Sequence, residues 1–271
     1  MQVRILNGGY CQQLLGLVER RTWRIVKFHA VFLAVRHPAH GWMLVDTGYG
    51  GRFAEATRGW PWCVYSWLTP VHAAGATRDL VRAAGIDPDA VRTIVLTHLH
   101  ADHVGGVRDF PSAEFVACGG ARAELRALSP RTQVRHAFLP RLLPDDFEAR
   151  LREIAPSDFS PHGRWPFSVH DLWGDGTMQL VALPGHALSH VGVLFRNDRD
   201  EEWLYAADAF WHWRQVEEEA APLWPATLAH QDLRAYAQTI TQLRAARRAG
   251  LRMLACHCPR TQEHVDAPTA R

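Results

Sequence analysis

The sequence lacks the features that would assign it to a membrane, to nucleic acid or to a secreted class. It has no apolar run near the ~20 residues that a membrane-spanning helix needs. Its formal net charge is only +2 with histidine neutral, which provides no basic field for nucleic acid or an anionic membrane. The N-terminal stretch has neither a continuous apolar segment nor a small-residue cleavage site, so we expect a cytoplasmic protein without a signal peptide.

Cysteine and lysine are both scarce, and neither scarcity assigns a function. The five cysteines are odd in number and scattered, which does not indicate a disulfide framework. Lys27 is the single lysine among 30 basic residues, and we assign no role to this bias. By contrast, the chain has 16 histidines and 11 tryptophans. Histidines indicate a functional site only where several of them lie close together, so their positions along the chain are the relevant observation.

Short apolar segments bounded by turn residues predict strands in two groups. The segments are 3–6, 28–35, 42–46, 93–96 and 113–118 in the first group, and 178–183, 191–195, 202–208 and 252–256 in the second. Helical periodicity predicts helices at 77–84 and 231–249, which end at Gly85 and Gly250. Strands followed by a helix, twice over, predict two mixed sheets covered by helices in a single α/β domain of residues 1–271.

The stretch 121–172 interrupts this order. It contains helix-like segments rich in alanine, arginine, glutamate and leucine, separated by prolines. We therefore predict a helical insertion that lies over the fold as a cap and takes no part in a sheet.

A dense group of metal-binding side chains follows one predicted strand. Residues 97–103 read T-H-L-H-A-D-H, directly after the apolar segment T-I-V-L. His98 and His100 are two residues apart, so on an extended chain they point to the same side, whereas Asp102 and His103 follow the turn and point to a neighbouring place. The stretch can therefore supply two adjacent metal positions, and imidazole with carboxylate suits Zn²⁺ and similar metals. The alternative is a chance cluster of surface or core histidines, which this density at one strand end disfavours.

Three further ligand-type residues occur at the ends of other predicted strands. His186 lies in a Pro-Gly turn after one apolar segment, Asp208 ends the next, and His257 follows the last. In each case a buried strand delivers one such residue at its C-terminal edge. We predict that these residues complete the site begun by the histidine-rich motif.

These residues resemble the ligand pattern of the metallo-β-lactamase superfamily, over about residues 28–258. The family's His-x-His-x-Asp-His motif and its later His, Asp and His ligands correspond in order to His98, His100, Asp102, His103, His186, Asp208 and His257. The segment L-V-D-T-G at 44–48 is similar to the family's Asp-Thr-Gly loop. The resemblance implies an αββα four-layer sandwich with the site at one edge between the sheets. It also implies that Asp46 orients a ligand without binding metal.

By the same resemblance, two divalent metal ions are the expected cofactors. Zn²⁺ is the expected metal, with iron, manganese and cobalt as alternatives. One ion would be held by His98, His100 and His186, the other by Asp102, His103 and His257, with Asp208 bridging them. Three ligands per ion leave a position open for water, and a hydroxide shared by two ions can attack a carbonyl. Asp102 and Asp208 would be the catalytic carboxylates that move the proton.

Among the branches of the superfamily, the chain most resembles the quorum-quenching N-acyl homoserine lactonase group. Intact His100 differs from the diiron flavoprotein branch, which has glutamate there, and Asp208 differs from true β-lactamases, which commonly have cysteine or serine. The expected substrate is a small lactone or related ester. A thioesterase similar to glyoxalase II, a phosphodiesterase and a non-catalytic metal- or ligand-binding protein remain as alternatives. Trp211 stands where the lactonase group commonly has a tyrosine that assists at the substrate carbonyl.

Several aromatic residues are candidates for a substrate pocket, although they equally suit the core. They are Tyr49, Tyr65, Phe210, Trp211 and Trp213. His190 can orient a ligand or serve as a structural histidine, and Cys256 and Cys258 are interpreted as small buried hydrophobes, with Cys258 the one able to approach a metal. The remaining histidines without a strand-end context are interpreted as surface or packing residues: His72, His136, His162, His170, His212, His230 and His264. Oligomeric state is not addressed by any of these patterns.

Overall fold

The computed structural model describes residues 1–266, and its first β-sheet has seven strands. In chain order these are β1 (Gln2–Leu14), β2 (Ile25–His37), β3 (Gly41–Val45), β4 (Val71–Ala73), β5 (Thr93–Val95), β6 (Glu114–Cys118) and β7 (Leu151–Ile154). Across the sheet the order is β4-β1-β2-β3-β5-β6-β7. The strands β1, β2 and β3 are antiparallel neighbours, whereas β3, β5, β6 and β7 run parallel. The carboxyl ends of β3 and β5 therefore meet at one edge.

The second sheet has six strands from the later part of the chain. They are β8 (Ser160–Pro161), β9 (Ser168–Asp171), β10 (Met178–Ala182), β11 (Val191–Arg196), β12 (Glu202–Tyr205) and β13 (Arg252–Leu254). The order across the sheet is β13-β12-β11-β10-β9-β8, and β12 and β13 are parallel neighbours. The backbone N–H of Val191 donates to the carbonyl of Thr97 at 2.9 Å. This bond ties the start of β11 to the loop after β5, so the two sheets meet at the end where the histidine-rich motif lies.

Helices flank both sheets. They are α1 (Gly16–Glu19), α2 (Phe53–Ala56), α3 (Cys63–Leu68), α4 (Thr77–Ala83), α5 (Ala101–Val104), α6 (Ala121–Ala127), α7 (Pro130–Arg135), α8 (Phe147–Arg150), α9 (Trp213–Glu217), α10 (Trp224–Thr227), α11 (Leu233–Arg248) and α12 (Pro259–Asp266). The longest, α11, is capped by the Asp232 carboxylate, which accepts from the N–H groups of Arg234 and Ala235. Within residues 1–266, no helix has the length and apolar character that crossing a membrane requires.

Alternating side chains divide the core into three layers. On β2, Leu33 and Val35 face the second sheet, while Phe32 faces the helices on the other side. Both faces of this strand are buried, which is why its sequence is a continuous apolar run. On the outer face of the second sheet, α11 packs through Ile240 and Leu243. The layers are therefore helices, sheet, sheet and helices, which confirms the predicted αββα sandwich.

The prediction of a purely helical insertion at 121–172 is wrong for the second half of that stretch. Helices α6, α7 and α8 are present, but β7 joins the first sheet beside β6, and β8 and β9 belong to the second. The residues of β7 are flanked by strong helix formers, which is why composition favoured a helix. Leu151 and Ile154 are buried against the core, and strand pairing with burial outweighs the weak intrinsic preference.

Candidate metal centre

The loop after β3 fixes the loop that carries the histidine-rich motif. Asp46 has φ 63°, and its carboxylate accepts from the Thr97 backbone N–H at 2.9 Å and from the Thr97 hydroxyl at 2.8 Å. Thr47 donates to the carbonyl of His103 through its N–H and its hydroxyl, both at 2.8 Å. Gly105 is required by close approach, since a Cβ there would lie 2.0 Å from the carbonyl oxygen of Tyr49. The start of the motif and its end are thus held against the same turn.

Two groups of candidate metal ligands are present, and the first ligand group consists of His98, His100 and His186. Their candidate ligand nitrogens lie within 4.8 Å of one another, and His186 Nε2 is 3.0 Å from His100 Nδ1. His98 and His100 follow β5 in the first sheet, whereas His186 follows β10 in the second. The group therefore forms only where the two sheets meet.

The second group consists of Asp102, His103 and His257. His257 Nε2 lies 3.2 Å from Asp102 Oδ2, and His103 Nε2 lies 3.7 Å from the same oxygen. Cys256 Sγ lies within 4.8 Å of the ligand atoms of this group. Cys256 is thus the cysteine beside the site, whereas Cys258 packs into the core under α11, as expected for a small buried hydrophobe.

Asp208 lies between the two groups. Its Oδ2 is 3.1 Å from His257 Nε2 and 3.5 Å from His186 Nε2, and its Oδ1 is 3.3 Å from His103 Nε2. The structure therefore brings all seven predicted ligand residues together, and one carboxylate contacts both groups.

The donor set suits a pair of divalent cations. Four buried atoms of these residues have no hydrogen-bond partner within the described chain: His98 Nε2, His100 Nε2, His103 Nε2 and Asp208 Oδ1. Leaving such atoms unsatisfied costs about 1–3 kcal/mol each, and a cation bound among them would remove this penalty. Imidazole nitrogens with carboxylate oxygens are the donors that zinc and similar metals prefer.

The protonation of His98, His186 and Asp208 is that of metal ligands, whereas at His103 and His257 the nearby carboxylates outweigh burial and raise the pKa well above its usual value. Burial lowers the pKa of His98 and His186 well below the usual range, and neighbouring imidazoles add to this effect. Burial would raise the pKa of Asp208, but the nearby His257 and His103 outweigh it and hold that pKa well below its usual value. Neutral imidazole and ionised carboxylate are the forms that bind metal.

Each of four candidate ligand histidines has a neighbour at the nitrogen that faces away from the cluster. His103 Nδ1 donates to Asp46 Oδ2 at 2.8 Å, and His257 Nδ1 donates to the carbonyl of His29 at 2.8 Å. His98 Nδ1 is 3.1 Å from the Thr97 hydroxyl, and His186 Nδ1 is 3.1 Å from His230 Nδ1. Such contacts fix the tautomer and the ring orientation of a ligand. Asp46 is thus placed behind His103 and not among the candidate ligand atoms.

His190 supports Asp208 through the backbone. Its Nδ1 donates to the carbonyl of Leu183 at 2.9 Å, and its Nε2 accepts from the Asp208 N–H at 3.2 Å. Burial lowers its pKa to about 3, so the ring is neutral and can accept this bond. His190 therefore helps to hold the residue between the two groups.

The predicted pocket residues separate into different environments. Trp211 Nε1 donates to Asp208 Oδ2 at 3.1 Å. Tyr65 is partly buried, and burial together with the Asp102 charge raises its pKa well above the usual value. Tyr49 is buried against Phe53.

The other two candidates, Phe210 and Trp213, pack with the core between the second sheet and α11. Phe210 belongs to the core under α11, and Trp213 packs on the same core. The guanidinium groups of Arg214 and Arg260 contact the Trp213 ring. Neither position favours contact with a substrate at the ligand groups.

His230 is interpreted from the sequence as a surface or packing residue, and the structure packs it against the candidate ligand His186. It is buried, and burial lowers its pKa to about 4. The strand-end pattern could not find it because it lies in the loop that precedes α11. Its contact with His186 arises from the fold and has no signal in the local sequence.

Comparison with known proteins places the chain in a family. Residues 26–249 match the model of the metallo-beta-lactamase superfamily. The chain belongs to this superfamily and is a metal-dependent hydrolase, which confirms the resemblance seen in the sequence.

Several relatives carry lactonase names. The N-acyl homoserine lactonase AttM of Agrobacterium fabrum is 30% identical over 221 residues, 76% of this chain and 76% of its own. The AttM of Rhizobium johnstonii is 30% identical over 200 residues, 70% of this chain and 68% of its own. A solved N-acyl homoserine lactone hydrolase with the product N-hexanoyl-L-homoserine at its catalytic metal center gives a TM-score of 0.69 at 16% identity, covering 97% of this chain and 96% of that one. At this identity the structural likeness supports the fold alone.

Proposed function

We propose that this protein is a two-metal lactonase that opens a small lactone or cleaves a related ester, with N-acyl homoserine lactones as the first substrates to test. The position of Asp208 carries the proposal, because its carboxylate lies 3.1–3.5 Å from histidine nitrogens of both ligand groups. The lactonase names of relatives that cover about 70% or more of this chain support the choice of substrate class.

The seven residues around Asp208 would hold two divalent ions, for which we propose Zn²⁺, with iron, manganese or cobalt as alternatives. When bound, such ions generate a nucleophile from water at neutral pH and polarise a carbonyl oxygen. The ligand residues of this proposal are His98, His100, Asp102, His103, His186, Asp208 and His257.

Side chains of the protein orient the ligand residues and move the proton of the attacking water. Asp102 and Asp208 are buried carboxylates at the centre of the cluster. We assign to them the proton of the attacking water, which they pass to the alkoxide that leaves as the ester bond breaks. The Trp211 N–H holds Asp208 Oδ2 at 3.1 Å, so the indole restrains a carboxylate that must not rotate.

Residues of both ligand groups keep a small exposed fraction. His100, Asp102 and His257 retain 6–8% exposure, whereas His98 and His103 retain 0–1%. Among the aromatic candidates, we propose that Tyr65 and Trp211 contact the substrate, since both are partly exposed, the Trp211 N–H donates to Asp208, and burial and the Asp102 charge raise the pKa of Tyr65.

Proton release by metal-replete protein tests the function directly. The panel contains γ- and δ-lactones, N-acyl homoserine lactones of increasing chain length, a glutathione thioester and a phosphodiester, with Asp208→Asn protein as the control for contaminating activity. We expect turnover of lactones that the control lacks. Turnover of the thioester or the phosphodiester without lactones would discard the lactonase assignment, and bound metal without turnover of any ester would favour a binding protein.

A further inference from the structure

The loop before α11 is hydrogen-bonded to the turn that contains His186. The N–H of Gln231 is shared between the carbonyls of Gly185 and His186, at 3.0 and 3.1 Å, and the N–H of Asp232 donates to Gly185 at 3.0 Å. A Cβ at Gly185 would lie 2.2 Å from the backbone nitrogen of Tyr236, so the turn and the start of α11 are in direct contact. The backbone of this loop therefore sets the position of His186.

The His230 ring is fixed between two aromatic rings. Trp211 stacks on it with centroids 4.8 Å apart and planes at 21°, and Tyr236 stacks on it at 3.9 Å and 22°. This stack leaves one edge of the imidazole toward His186, with the two Nδ1 atoms 3.1 Å apart. The ring is buried, and its Nε2 has no hydrogen-bond partner among residues 1–266.

The hydrogen-bond chemistry assigns a direction to this contact. His186 Nε2 faces the cluster, 3.0 Å from His100 Nδ1 and 3.5 Å from Asp208 Oδ2. If Nε2 is the ligand atom of His186, its Nδ1 carries the proton and donates it to a lone pair on His230 Nδ1. We propose that His230 is a positioning residue, a neutral imidazole that accepts this hydrogen bond and orients His186 for metal binding.

Two other candidate ligand histidines also have a hydrogen-bond partner behind the ring. His103 has a carboxylate behind it, from Asp46, and His257 has a backbone carbonyl, from His29. Such partners orient ligand histidines in metal sites, and losing one typically costs 10–100-fold in metal affinity or activity. His230 occupies the same place behind His186, and the stack with Trp211 joins this support to the residue that holds Asp208.

Three variants separate hydrogen bonding from packing. His230→Leu removes the acceptor and leaves a side chain of similar size, whereas His230→Asn places an amide oxygen close to the position of the ring Nδ1. His212→Asn is the matched control, because His212 is also a buried histidine but caps α9, where its Nδ1 accepts from the Arg214 N–H at 3.3 Å. Asparagine keeps that cap.

Cobalt(II) affinity by chelator competition, with the visible spectrum of the loaded protein, provides a measurement that does not depend on turnover. We expect His230→Leu to weaken one of two metal equivalents by about 10–100-fold and to alter the spectrum. His230→Asn should recover most of the affinity, and His212→Asn should match the unchanged protein. Wild-type affinity in His230→Leu, or equal losses in His230→Leu and His230→Asn, would overturn the proposal.

A second measurement needs no variant and covers the case in which His230→Leu fails to fold. In zinc-loaded protein labelled with ¹⁵N-histidine, we expect His230 as the Nε2–H tautomer and His186 as the Nδ1–H tautomer. The reverse pair would overturn the assignment. The inference rests on the proposed metal centre but not on its substrate, so a protein that binds metal as described and turns over no lactone would refute the proposed function alone.

Discussion

At the scale of single residues, the two ligand groups differ in the number of carboxylates that belong to them or contact their histidines. The second group includes the Asp102 carboxylate, and Asp46 accepts from His103. In the first group, a hydroxyl contacts His98 and an imidazole contacts His186. A carboxylate behind a histidine increases its strength as a ligand. The two proposed metal positions should therefore not be equivalent, although they are close together.

Asp208 is the residue whose replacement should affect both positions. Asp208→Asn keeps the shape but removes the negative charge that faces His103, His186 and His257. We expect turnover to fall by about 10²-fold or more, as for loss of a catalytic proton-transfer group, with about one metal equivalent lost. Metal analysis and steady-state kinetics check this expectation. Retention of both metals would contradict the bridging assignment even if activity were lost.

The indole N–H of Trp211 can be tested separately from its ring. Trp211→Phe removes the donor to Asp208 Oδ2 but keeps an aromatic ring to stack on His230. A hydrogen bond to a charged group contributes about 1.5–3 kcal/mol, so we expect kcat to fall by about 10-fold or more. Trp211→Tyr should lose less, because the tyrosine hydroxyl can replace the indole N–H as a hydrogen-bond donor at this position.

The control for this series is Trp173→Phe. The Trp173 ring stacks on His40, beside the β2–β3 turn at the other end of the sandwich. The Trp173→Phe substitution should therefore leave kcat unchanged. If Trp211→Phe behaves like this control, the contact with Asp208 has no part in the reaction.

Sequence reasoning at the residue scale found side chains that follow strands and missed one that does not. Each of the seven candidate ligands lies just beyond an apolar strand, and the regular spacing of the motif is visible without a structure. His230 reaches His186 because the backbone of the next two residues bonds to the Gly185 turn. That contact joins positions far apart in the chain, and no local pattern reports it.

At the scale of elements, hydrophobic patterning predicted the strands of the central sheets and failed at an edge. The residues of β2 and β10 are apolar and bounded by turns, which is an unambiguous strand signal. In β7, the buried Leu151 and Ile154 enclose Arg152 and Glu153, and four residues are too few to show a period. Pairing with β6 decides the outcome.

The buried carboxylate of Glu19 links α1 to α9. At the end of α1 it accepts from the guanidinium of Arg214 in α9 at 2.5 Å, from the Arg21 N–H at 3.2 Å and from the Thr22 N–H. Burial raises its pKa, but these hydrogen bonds outweigh that effect and the pKa is lowered from 4.5. The ionised form is therefore favoured in the folded protein.

The sign of this shift gives a pH-dependent prediction. Because the folded pKa lies below the unfolded value, the stabilisation is fully present above pH 4.5 and is lost as the pH falls through the folded pKa. We expect Glu19→Gln to lower the free energy of unfolding by about 1–3 kcal/mol at pH 7, and by progressively less as the pH falls below 4.5. Thermal unfolding of both proteins at several pH values measures this difference. A difference that stays constant across this range would show that Glu19 contributes through shape and not through charge.

At the scale of the whole molecule, each ligand group takes residues from both sheets. The motif after β5 supplies two residues to each group from the first sheet, while His186 and His257 come from the second. Bound metal would therefore cross-link the two halves of the sandwich. The bond from Val191 to Thr97 and the Tyr205 hydroxyl, which donates to the Val31 carbonyl at 2.7 Å, join the same halves without metal. The apoprotein should remain folded but be less stable.

Metal removal should therefore lower the unfolding temperature in two steps. Ligand at 100 times its dissociation constant stabilises the folded state by about 2.7 kcal/mol, and 1 kcal/mol shifts the midpoint by about 2–4 °C in a protein of roughly this size. We expect a chelator to lower the midpoint by about 5–10 °C per equivalent removed.

The order of the two steps follows from the charges behind the ligands. The equivalent held by His98, His100 and His186 should leave first, because the second group has the Asp102 carboxylate and the Asp46–His103 pair. His186→Ala and His257→Ala are the matched pair that assigns the steps: the first should abolish the weaker step and the second the stronger one. Simultaneous loss of both equivalents, with one unfolding transition throughout the titration, would mean that the ions bind as a unit through Asp208. In that case the contrast between carboxylate and neutral partners would have no measurable effect on affinity.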